Sequence, residues 1–465
     1  MNLYALLQSR FPADRSAPCL LLPDGADLSY GALDEGVGRL AALLAAKGVG
    51  VGDRVAAQTA KSPEALMLYL ATLQTGAVFL PLNPAYTVAE VAYFREDAEP
   101  ALFVTDAVAL SRESQSLSPR TDIHDAGPDD LAALVYTSGT TGRAKGAMLS
   151  HDNLASNALA LQSAWGFTGD DVLLHALPIF HVHGLFVAIH CALLSGAPML
   201  WLPRFEEDAV LAALPRATVM MGVPTFYTRL LADPRFTAEA AAHMRLFISG
   251  SAPLLESAFD AFEARTGFRI LERYGMSEAQ MITTNPLEGM RLAGSVGFPL
   301  PGVAVRIAGD DEAGVVEIAG PSITAGYWRN AEKTAQAFTA DGFFITGDIG
   351  RLDADGRLWL SGRANDLIIS GGLNVYPKEI ELVLDELPGV TESAVIGVGH
   401  SDFGEAVVAV IAGAGDESEV IAACRARLAA FKTPKRVVFV SDLPRNAMGK
   451  VEKATLRRAY GDLFQ

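Results

Sequence analysis

Short apolar runs alternate with amphipathic stretches through the first half of the chain. Residues 55–58, 78–82 and 101–105 have the length and composition of buried β-strands. After the first run, Ser62-Pro63-Glu64 is typical of a helix start, because serine caps helices and proline fits the first turn. The apolar positions that follow fall on one helical face: Leu66, Tyr69, Leu70 and Leu73.

The alternation continues up to about residue 302. Helical stretches at 89–94 and 255–266 lie among further strand-like runs, which are 172–177, 199–202, 218–223 and 246–249. Strands that alternate with helices favour parallel sheets with helices on both faces. The pattern therefore predicts an α/β fold, with a large N-terminal region of several subdomains built from layered strand–helix sheets.

From Val303 onward the pattern changes. Short strands without long helices between them are expected at 303–307, 315–318 and 343–346. Asp355-Gly356 predicts a hairpin turn between strands at 350–352 and 358–360. Beyond Pro377, short helices and strands mix, as in 378–387, 393–398, 407–411 and 437–440. We therefore expect two domains, 1–364 and 365–465, the second a small α+β domain of roughly 100 residues, a usual domain size.

One uncharged window, 184–203, has about the length that could cross a bilayer. The turn signature Ser195-Gly196-Ala197-Pro198 interrupts it, so a helix, a turn and a buried strand is the better interpretation. The start of the chain, Met1-Asn2-Leu3-Tyr4, lacks a basic stretch followed by an apolar run, and no secretory signal is expected. The sequence therefore predicts no membrane span.

Composition and charge narrow the choice of partners. The chain has 465 residues, of which 50% are hydrophobic and 20% charged, as in soluble globular proteins. The 37 Lys+Arg against 54 Asp+Glu give a formal charge of −17, which argues against nucleic acid or an anionic membrane as a partner. Cys19, Cys191 and Cys424 are scattered and predict neither a disulfide framework nor a metal cluster. A reducing cytoplasm is therefore the expected location.

The strongest local signal is the run Tyr136-Thr137-Ser138-Gly139-Thr140-Thr141-Gly142-Arg143-Ala144-Lys145-Gly146, after an apolar strand at 131–135. Its glycines, hydroxyls and lysine can place backbone N–H groups and side-chain donors around phosphates. A flexible Ser/Thr/Gly turn is the simpler interpretation of such a run, but the lysine and the preceding strand favour phosphate binding. Because Lys145 is followed by glycine, the spacing is not that of a Walker A motif, which argues against a kinase or a motor ATPase.

Later segments place single charged residues beside turns. Glu278 ends the segment 272–278 and could hold a Mg²⁺ ion that bridges nucleotide phosphates, although an isolated glutamate is by default a solvated surface acid. Asp348 follows a strand and is suited to accepting two ribose hydroxyls. Arg363 comes shortly before a second glycine-rich stretch. Lys450 stands after a glycine turn, where a lone lysine would ordinarily be a solvated charge.

Taken together, these motifs resemble the acyl-CoA synthetase, adenylation-domain and luciferase superfamily of adenylate-forming enzymes. The motifs stand in the order found in that family, and the resemblance runs from about Leu28-Ser29-Tyr30 to Lys453. Within the superfamily the sequence is most similar to malonyl-CoA synthetases. The segments that carry this similarity are 176–184, 249–253 and Glu272-Arg273-Tyr274-Gly275-Met276.

The resemblance implies roles for the N-terminal motifs. The mobile phosphate loop would comprise Thr137, Ser138, Gly139, Thr140, Thr141, Gly142 and Lys145. Tyr274 would stack near the adenine, within an ATP-binding segment that includes Gly275 and Met276. Ser277 would contact the α-phosphate, and it stands where the family usually has threonine, which keeps the hydroxyl. Glu278 would be catalytic by holding Mg²⁺.

The resemblance also implies roles in the C-terminal part. Asp348 and Arg363 would grip the ribose of ATP. Lys450 would reach the carboxylate and α-phosphate oxygens during adenylation, where its charge stabilises the anionic oxygens. The hinge between the domains would be Asn365, where the family commonly has Asp or Lys; asparagine tolerates unusual backbone angles. Gly371-Gly372 would line the coenzyme A channel.

Four histidines, His175, His181, His183 and His190, could suggest a metal, but no acid or cysteine lies at ligand spacing. His183 is interpreted as a packed turn histidine. For His181 the resemblance implies a catalytic gate or wall residue at the acyl pocket, which would also include Gly250 and Ser251.

Arg273 is the residue that most narrows the substrate. An arginine that enters a mostly apolar strand end is costly unless it is paired with an anion. A second carboxylate on the substrate could be that anion, held in a bidentate pair and assisted by His181 and Ser251. The alternative is a salt bridge to Glu272 or another acid.

The resemblance therefore implies an AMP-forming acid–thiol ligase. It would convert malonate and MgATP to malonyl-adenylate and pyrophosphate, and coenzyme A would then give malonyl-CoA and AMP. Methylmalonate is close enough in shape to react as well. Transfer to the phosphopantetheine arm of a carrier protein stays open, as does an oxalate or short monocarboxylate synthetase. A catalytically silent nucleotide-binding or scaffold protein is a further alternative, against which the joint presence of the charged motif residues argues.

Overall fold

The structure is a computed structural model that describes residues 1–137, 144–309, 312–370, 373–400, 403–445 and 450–464. It divides into two compact units. The first comprises residues 1–305 and 318–344, and the second comprises residues 306–317 and 345–465. Each unit has hydrophobic clusters of its own, as domains do.

Strands and helices are numbered in chain order. The strands of the first unit are β1 (Pro18–Leu21), β2 (Leu28–Ser29), β3 (Arg54–Ala57), β4 (Val78–Pro81), β5 (Leu102–Val104), β6 (Leu131–Thr137), β7 (Lys145–Ser150), β8 (Leu173–His175), β9 (Met199–Trp201), β10 (Val219–Gly222), β11 (Leu246–Ser249), β12 (Leu271–Met276), β13 (Gln280–Thr284) and β14 (Ser295–Pro299). Its helices are α1 (Leu3–Gln8), α2 (Tyr30–Ala46), α3 (Pro63–Gln74), α4 (Val88–Ala98), α5 (Ala107–Ser114), α6 (His151–Ala164), α7 (Ile189–Ser195), α8 (Glu207–Ala213), α9 (Pro224–Ala232), α10 (Glu256–Thr266) and α11 (Ala331–Ala337). A π-helix (His183–Ala188) precedes α7, and a 3-10 helix (Leu214–Arg216) follows α8.

The described strands of the first unit form two sheets. One has the order β5-β3-β4-β6-β7 and is parallel except at its β6–β7 edge. The other has the order β14-β13-β12-β11-β10-β8-β9-β1-β2, with parallel pairing from β12 to β1 and antiparallel pairing at both ends. The predicted α/β class with parallel sheets is confirmed.

Helix α3 begins as the sequence predicts. The Ser62 side chain accepts a hydrogen bond from the Ala65 N–H group, and Pro63 occupies the first turn. The burial differs from the prediction, because every residue from Ala65 to Gln74 is buried rather than a single apolar face. A helix that is enclosed on all sides belongs to the core, which explains why its polar face is nearly absent.

The uncharged window 184–203 contains the predicted helix, turn and strand. The π-helix and α7 end at Gly196, whose φ of +66° is the left-handed conformation that closes many helices, and β9 follows. Among the described residues, no helix has both the length and the apolar character needed to cross a membrane.

The remaining strands are β15 (Ala304–Ile307), β16 (Gly314–Ala319), β17 (Phe344–Leu352), β18 (Leu358–Arg363), β19 (Ile368–Ser370), β20 (Leu373–Val375), β21 (Val390–His400), β22 (Gly404–Gly413) and β23 (Arg436–Val440). The remaining helices are α12 (Pro377–Asp385), α13 (Glu417–Arg427) and α14 (Lys453–Tyr460), and a 3-10 helix spans Ala364–Asp366. Strands β15 to β18 are neighbours in that order, and a separate sheet has the order β20-β19-β22-β21, with β23 parallel to β22. The hairpin predicted at Asp355-Gly356 joins β17 to β18. The mixed α+β character of the C-terminal part is thus confirmed, whereas the boundary at 364/365 stays a prediction.

Candidate active site

Three parallel strands end beside loops that carry predicted site residues. At the carboxyl ends of β10 and β11, Gly222 pairs with Ser249, and Ser249 pairs with Glu272 near the start of β12, which runs on to Met276. In open α/β sheets, ligands bind outside the carboxyl ends of the strands. Residues 250–251 follow β11 directly, and residues 273–278 belong to the end of β12 and the turn after it. This edge of the sheet is therefore the candidate site of the first unit.

A tight hairpin carries Ser277 and Glu278. Strands β12 and β13 pair antiparallel with Met276 opposite Gln280, so only residues 277–279 connect them. Gln280 has a φ of +55°, the left-handed conformation that commonly closes three-residue hairpin loops. Glu278 is 6% exposed, so the interpretation of this residue as a solvated surface acid is wrong.

Two neutral hydroxyl groups fix one oxygen of the Glu278 carboxylate. Thr137 Oγ1, at the end of β6, donates to Glu278 Oε1 at 3.2 Å, and Tyr327 Oη donates to the same atom at 3.1 Å. The backbone N–H of Thr324 donates to the Glu278 carbonyl at 2.7 Å. Because both side-chain bonds fall on Oε1, the described residues leave Oε2 available to a ligand.

That carboxylate fits a magnesium ion that is held jointly with phosphates. Mg²⁺ prefers oxygen ligands and is usually bound through one or two carboxylates together with substrate phosphates. Among the described residues, no group of three or more His, Cys, Asp or Glu side chains could hold a metal ion. The donor set thus suits a cation that is bound together with a nucleotide rather than a cation coordinated entirely by protein side chains.

Part of the predicted phosphate loop lies outside the described residues: Ser138, Gly139, Thr140, Thr141 and Gly142. At the described ends of the loop, Thr137 pairs with Lys145 in the antiparallel ladder of β6 and β7. The Lys145 Nζ atom lies 4.3 Å from the centroid of the Tyr327 ring. The structure therefore brings Thr137, Lys145 and Glu278 together around one tyrosine.

Arg273 is buried, with 3% of its surface exposed, and its charge is not compensated within the described structure. Its Nε and Nη2 atoms have no hydrogen-bond partner among the described residues. These two nitrogens form one edge of the guanidinium group, and such an edge binds a carboxylate in a bidentate pair. Burial lowers the pKa of Arg273 to about 9, so the group remains a cation at neutral pH. A buried cation with an open bidentate edge fits an anionic ligand.

The alternative pairing of Arg273 with Glu272 is wrong. Neighbouring residues in a strand point to opposite faces of the sheet, so the two side chains diverge. Glu272 Oε1 instead accepts a hydrogen bond from the Gly294 N–H group at 3.3 Å. Burial also raises the pKa of Glu272 to about 8, so this acid is mostly uncharged at pH 7.

The loop after β11 is shaped to accept the Arg273 guanidinium. A Cβ atom at Gly250 would lie 2.5 Å from Arg273 Cζ, so a larger residue there would force the guanidinium to move. Ser251 has a φ of +73°, a conformation that costs free energy in a residue other than glycine. Tyr227 Oη donates to the Ile248 carbonyl at 2.6 Å and thereby holds the end of β11 in place.

His183 is packed as predicted, but it does not lie in a turn. It is the first residue of the π-helix, a rare helical form that often occurs at functional sites. Its Nδ1 atom lies 3.4 Å from Ser251 Oγ, and its Nε2 atom is buried without a partner among the described residues. Burial lowers its pKa well below the usual value, and the charge of Arg273 acts in the same direction, so the ring is neutral. If the Ser251 hydroxyl donates to Nδ1, the Nε2–H group is a further donor for a ligand.

The other predicted residues of the first unit lie on the same elements. His181 is half-buried two residues before the π-helix, and its ring lies 5.7 Å from that of Phe180. Tyr274 is buried within β12, and Met276 is the last residue of that strand. A Cβ atom at Gly275 would lie 1.9 Å from the Gln280 carbonyl oxygen, so the hairpin requires glycine there.

The second unit contains the predicted ribose and catalytic residues. Asp348 pairs with Arg363 across β17 and β18, and the Arg363 Nε atom lies 2.8 Å from Asp348 Oδ1. Lys450 is exposed, and Asn365 is the middle residue of the 3-10 helix. Gly371-Gly372 lies outside the described residues. The structure thus joins the two ribose candidates directly, while the roles of Lys450 and Asn365 stay predictions.

Two residues of the site, Tyr327 and His183, are not identified by any sequence motif. Tyr327 is 49 positions from Glu278 in the chain and belongs to Gly326-Tyr327-Trp328, which has neither helix nor strand periodicity. The only signal for His183 was its place beside His181 in a glycine-containing segment.

Comparisons with known proteins identify the family of the chain. The sequence matches the AMP-binding enzyme family over residues 8–328 and the AMP-binding enzyme C-terminal domain over residues 379–450. A malonate–CoA ligase from Arabidopsis thaliana is 35% identical over an alignment of 480 positions. The alignment covers 88% of this chain and 78% of the relative. A sulfoacetate–CoA ligase from Cupriavidus necator is also 35% identical, over 497 residues that cover 98% of this chain and 97% of the relative.

A solved structure is similar over the whole length. The crystal structure of ATP-bound MatB from Rhodopseudomonas palustris matches with a TM-score of 0.96 and 50% sequence identity, covering 100% of this chain and 99% of that chain. The relatives with different acids in their names have similar identity to this chain, so the choice of acid has to be argued from the site.

Proposed function

Because the chain belongs to the AMP-binding enzyme family, we propose that it is an ATP-dependent malonyl-CoA synthetase. It would convert malonate, ATP and coenzyme A to malonyl-CoA, AMP and pyrophosphate through malonyl-adenylate. Methylmalonate is a second substrate of the same site, because one additional methyl group in a pocket discriminates by only about 1–3 kcal/mol.

The observation that carries the choice of malonate is the open edge of Arg273. Malonate has two carboxylates, and only one of them reacts with ATP. The other stays ionised and needs a counter-charge in a buried site. The Nε–Nη2 edge of Arg273 supplies that charge with two parallel donors, and His183 Nε2 would add a third donor in the tautomer in which Nδ1 accepts from Ser251. A monocarboxylate would leave the guanidinium unpaired.

In the first step, a carboxylate oxygen of malonate attacks the α-phosphorus of ATP, and the bond from that phosphorus to the bridging oxygen breaks to release pyrophosphate. Thr137 and Tyr327 orient the Glu278 carboxylate, and Lys145 supplies positive charge beside it. A magnesium ion bound by Glu278 would neutralise phosphate charge. Ser277, next to Glu278 in the hairpin, would contact the α-phosphate, and Lys450 would stabilise the charge that develops there.

In the second step, the thiolate of coenzyme A attacks the acyl carbon of the adenylate, and AMP leaves with the bonding electron pair. Splitting the reaction in this way turns an unreactive carboxylate into an acyl donor. A C-terminal domain, residues 365–465, would rotate about Asn365 between the steps. That rotation would withdraw Lys450 and bring Gly371-Gly372 to the path of the thiol.

The cysteines support the predicted location in a reducing cytoplasm. Cys19, Cys191 and Cys424 are all buried and none forms a disulfide. Burial raises the pKa of the Cys19 and Cys191 thiols, so both stay protonated and unreactive.

The test is AMP formation with coenzyme A across a panel of acids: malonate, methylmalonate, sulfoacetate, oxalate, succinate, acetate and propionate. Malonate should have the highest kcat/KM, followed by methylmalonate. A preference for sulfoacetate would show that Arg273 binds a sulfonate, and a preference for acetate or propionate would overturn the dicarboxylate assignment. Purified carrier protein in place of coenzyme A distinguishes the two acceptors.

A further inference from the structure

Tyr327 contacts two groups that the proposed function requires, although no motif in the sequence points to it. Its hydroxyl donates to Glu278 Oε1 at 3.1 Å, and its ring faces the Lys145 ammonium, with Nζ 4.3 Å from the ring centroid. A cation over an aromatic face is attracted by the ring quadrupole. One side chain therefore contacts both a candidate metal ligand and the cation of the phosphate loop.

The backbone around Tyr327 is fixed by the strand that starts at Lys145. Met148 N–H donates to the Gly326 carbonyl at 3.0 Å, and Trp328 N–H donates to the Gly146 carbonyl at 2.8 Å. The Tyr327 N–H group itself donates to Thr334 Oγ1 at 2.9 Å. These bonds leave the tyrosine little freedom, so its hydroxyl holds a defined position relative to β7.

The Tyr327 hydroxyl is a permanent donor. Its partner is a carboxylate, which accepts hydrogen bonds and cannot donate them when ionised, so the phenol is the donor of the pair. Its target, Oε1, is also the atom that Thr137 approaches from the end of β6. Two hydroxyls on one oxygen fix the rotation of the carboxylate and orient Oε2.

We propose that Tyr327 is a positioning residue that presets Glu278 for the metal–nucleotide complex and holds the Lys145 ammonium against its ring until phosphates bind it. This inference rests on the proposed function, because it assumes that a metal-bound nucleotide occupies the site. The hydroxyl acts on the metal ligand, whereas the ring acts on Lys145. Separate substitutions can therefore separate the two effects.

The experiment uses the full chain, titrated by calorimetry with a non-hydrolysable ATP analogue at a series of Mn²⁺ or Mg²⁺ concentrations. Tyr327→Phe removes the hydroxyl and keeps the ring. The metal concentration for half-maximal binding should rise on the order of 10-fold, the scale of one hydrogen bond to a charged group. Tyr327→Leu should weaken nucleotide binding by a further ~2–10-fold through Lys145.

Double substitutions with Lys145→Ala test the contribution of the ring. In the Phe variant, Lys145→Ala should cause the same loss of nucleotide affinity as in the wild type. In the Leu variant it should cause a smaller loss, because the contact is already absent. Thr137→Val removes the other hydrogen bond to Oε1 and should shift the metal dependence without changing the effect of Lys145→Ala.

A matched control is Tyr4→Phe, which removes a buried tyrosine hydroxyl that donates to Asp34 in the N-terminal part of the chain. It should leave the metal dependence unchanged. If Tyr327→Phe lowers only the melting temperature, with unchanged metal and nucleotide binding, Tyr327 is a structural residue and the inference fails. If the Tyr327 variants do not fold, an unchanged metal dependence in Thr137→Val would overturn it. A wild type that binds no ATP analogue would overturn the proposed function as well.

Discussion

A single guanidinium group links stability to substrate choice in the first unit. Arg273 is buried, and two of its nitrogens have no hydrogen-bond partner among the described residues. Removing a charge from water without pairing it costs several kcal/mol, roughly, even after local relaxation. Such a cost is accepted at functional sites, where a ligand supplies the missing partner. The binding free energy of the ligand then includes the compensation of that charge.

Replacing Arg273 with methionine should reduce the use of malonate selectively. The substitution keeps much of the apolar stem and removes the charge, so we expect a loss of about 2–5 kcal/mol in malonate kcat/KM, the scale of breaking a buried charge pair. Butyrate brings no second charge and should be affected far less. The measurement is the ratio of malonate to butyrate kcat/KM in the wild type and in Arg273→Met. A ratio that stays constant while both values fall would mean that Arg273 supports the fold or the nucleotide.

The same substitution should stabilise the ligand-free protein. Exchanging a buried unpaired cation for an apolar side chain of similar shape should raise the free energy of unfolding by about 1–4 kcal/mol. Malonate should raise the melting temperature of the wild type and leave that of Arg273→Met nearly unchanged. Thermal unfolding with and without malonate measures both effects. A less stable ligand-free variant would show that the guanidinium has a structural partner.

The sequence revealed that Arg273 is charged but could not show where it points. The choice between an anionic substrate and Glu272 depended on the pleat of β12 and on the direction of each side chain. Tyr327 was missed for a related reason, since its contact with Glu278 spans 49 positions and follows no local pattern. Contacts of this kind exist only after distant segments have packed.

Among the elements, β12 carries a buried cation on one face and a buried, mostly protonated acid on the other. Arg273 points to the candidate site, while Glu272 accepts a hydrogen bond from the Gly294 N–H group on the other face. Burial raises the pKa of Glu272 from its usual value of 4.5 to about 8. Between these two values the folded chain holds a proton that the unfolded chain has released. Raising the pH through this window therefore favours unfolding.

Glu272→Gln should remove that pH dependence. Glutamine resembles the protonated acid, so the variant and the wild type should be equally stable at about pH 4 and below. As the pH is raised further, the free energy of unfolding of the variant should exceed that of the wild type by a growing amount. The difference should increase by up to about 1.4 kcal/mol per pH unit until about pH 8. Urea unfolding at several pH values measures the difference, with the exposed Glu239→Gln as a matched control that should show none. A difference that does not change with pH would mean that Glu272 is ionised throughout.

The elements that the sequence predicted well are those with local signals. The capped start of α3, the strands of the parallel sheets and the hairpin at Asp355-Gly356 all follow from residues that are close in the chain. The π-helix at His183–Ala188 does not, because an uncharged apolar run has no period that separates it from an α-helix. Its form depends on packing, since a Cβ atom at Gly184 would lie 2.0 Å from the Pro178 carbonyl oxygen.

At the scale of the whole molecule, the overall charge opposes the proposed substrates. ATP, malonate and coenzyme A are anions, and the chain has a formal charge of −17. The net charge of the protein therefore does not attract these anions from a distance. Their binding depends on individual cations within about one Debye length of the ligand, ~8 Å at physiological salt. Lys145 and Arg273 lie in the first unit, and Arg363 and Lys450 in the second. The proposed reaction needs cations from both units. The linker between the domains is therefore part of the proposed mechanism.

Asn365→Pro tests that linker. Proline fixes φ at its own position and restricts the residue before it, so the proposed rotation should be hindered. Acid-dependent pyrophosphate exchange should survive, while turnover that depends on coenzyme A should fall by about 10-fold or more. Asn365→Asp, which restores a residue common in the family at this position, is the control and should keep both activities. Unchanged overall turnover in the proline variant would place the hinge elsewhere.

Lys450→Ala tests whether the C-terminal domain serves the two steps unequally. Lys450 is exposed, so its removal should not disturb a core. Adenylation should fall by on the order of 10²–10³, as when one preorganised electrostatic donor is lost. Thioester formation from supplied malonyl-adenylate should continue at nearly the wild-type rate, because the proposed rotation has already withdrawn the lysine. Arg458→Ala removes a cation from an exposed position of the same domain and should leave both half-reactions intact. Equal losses in the two half-reactions of Lys450→Ala would contradict the alternation, because the lysine would then act in both.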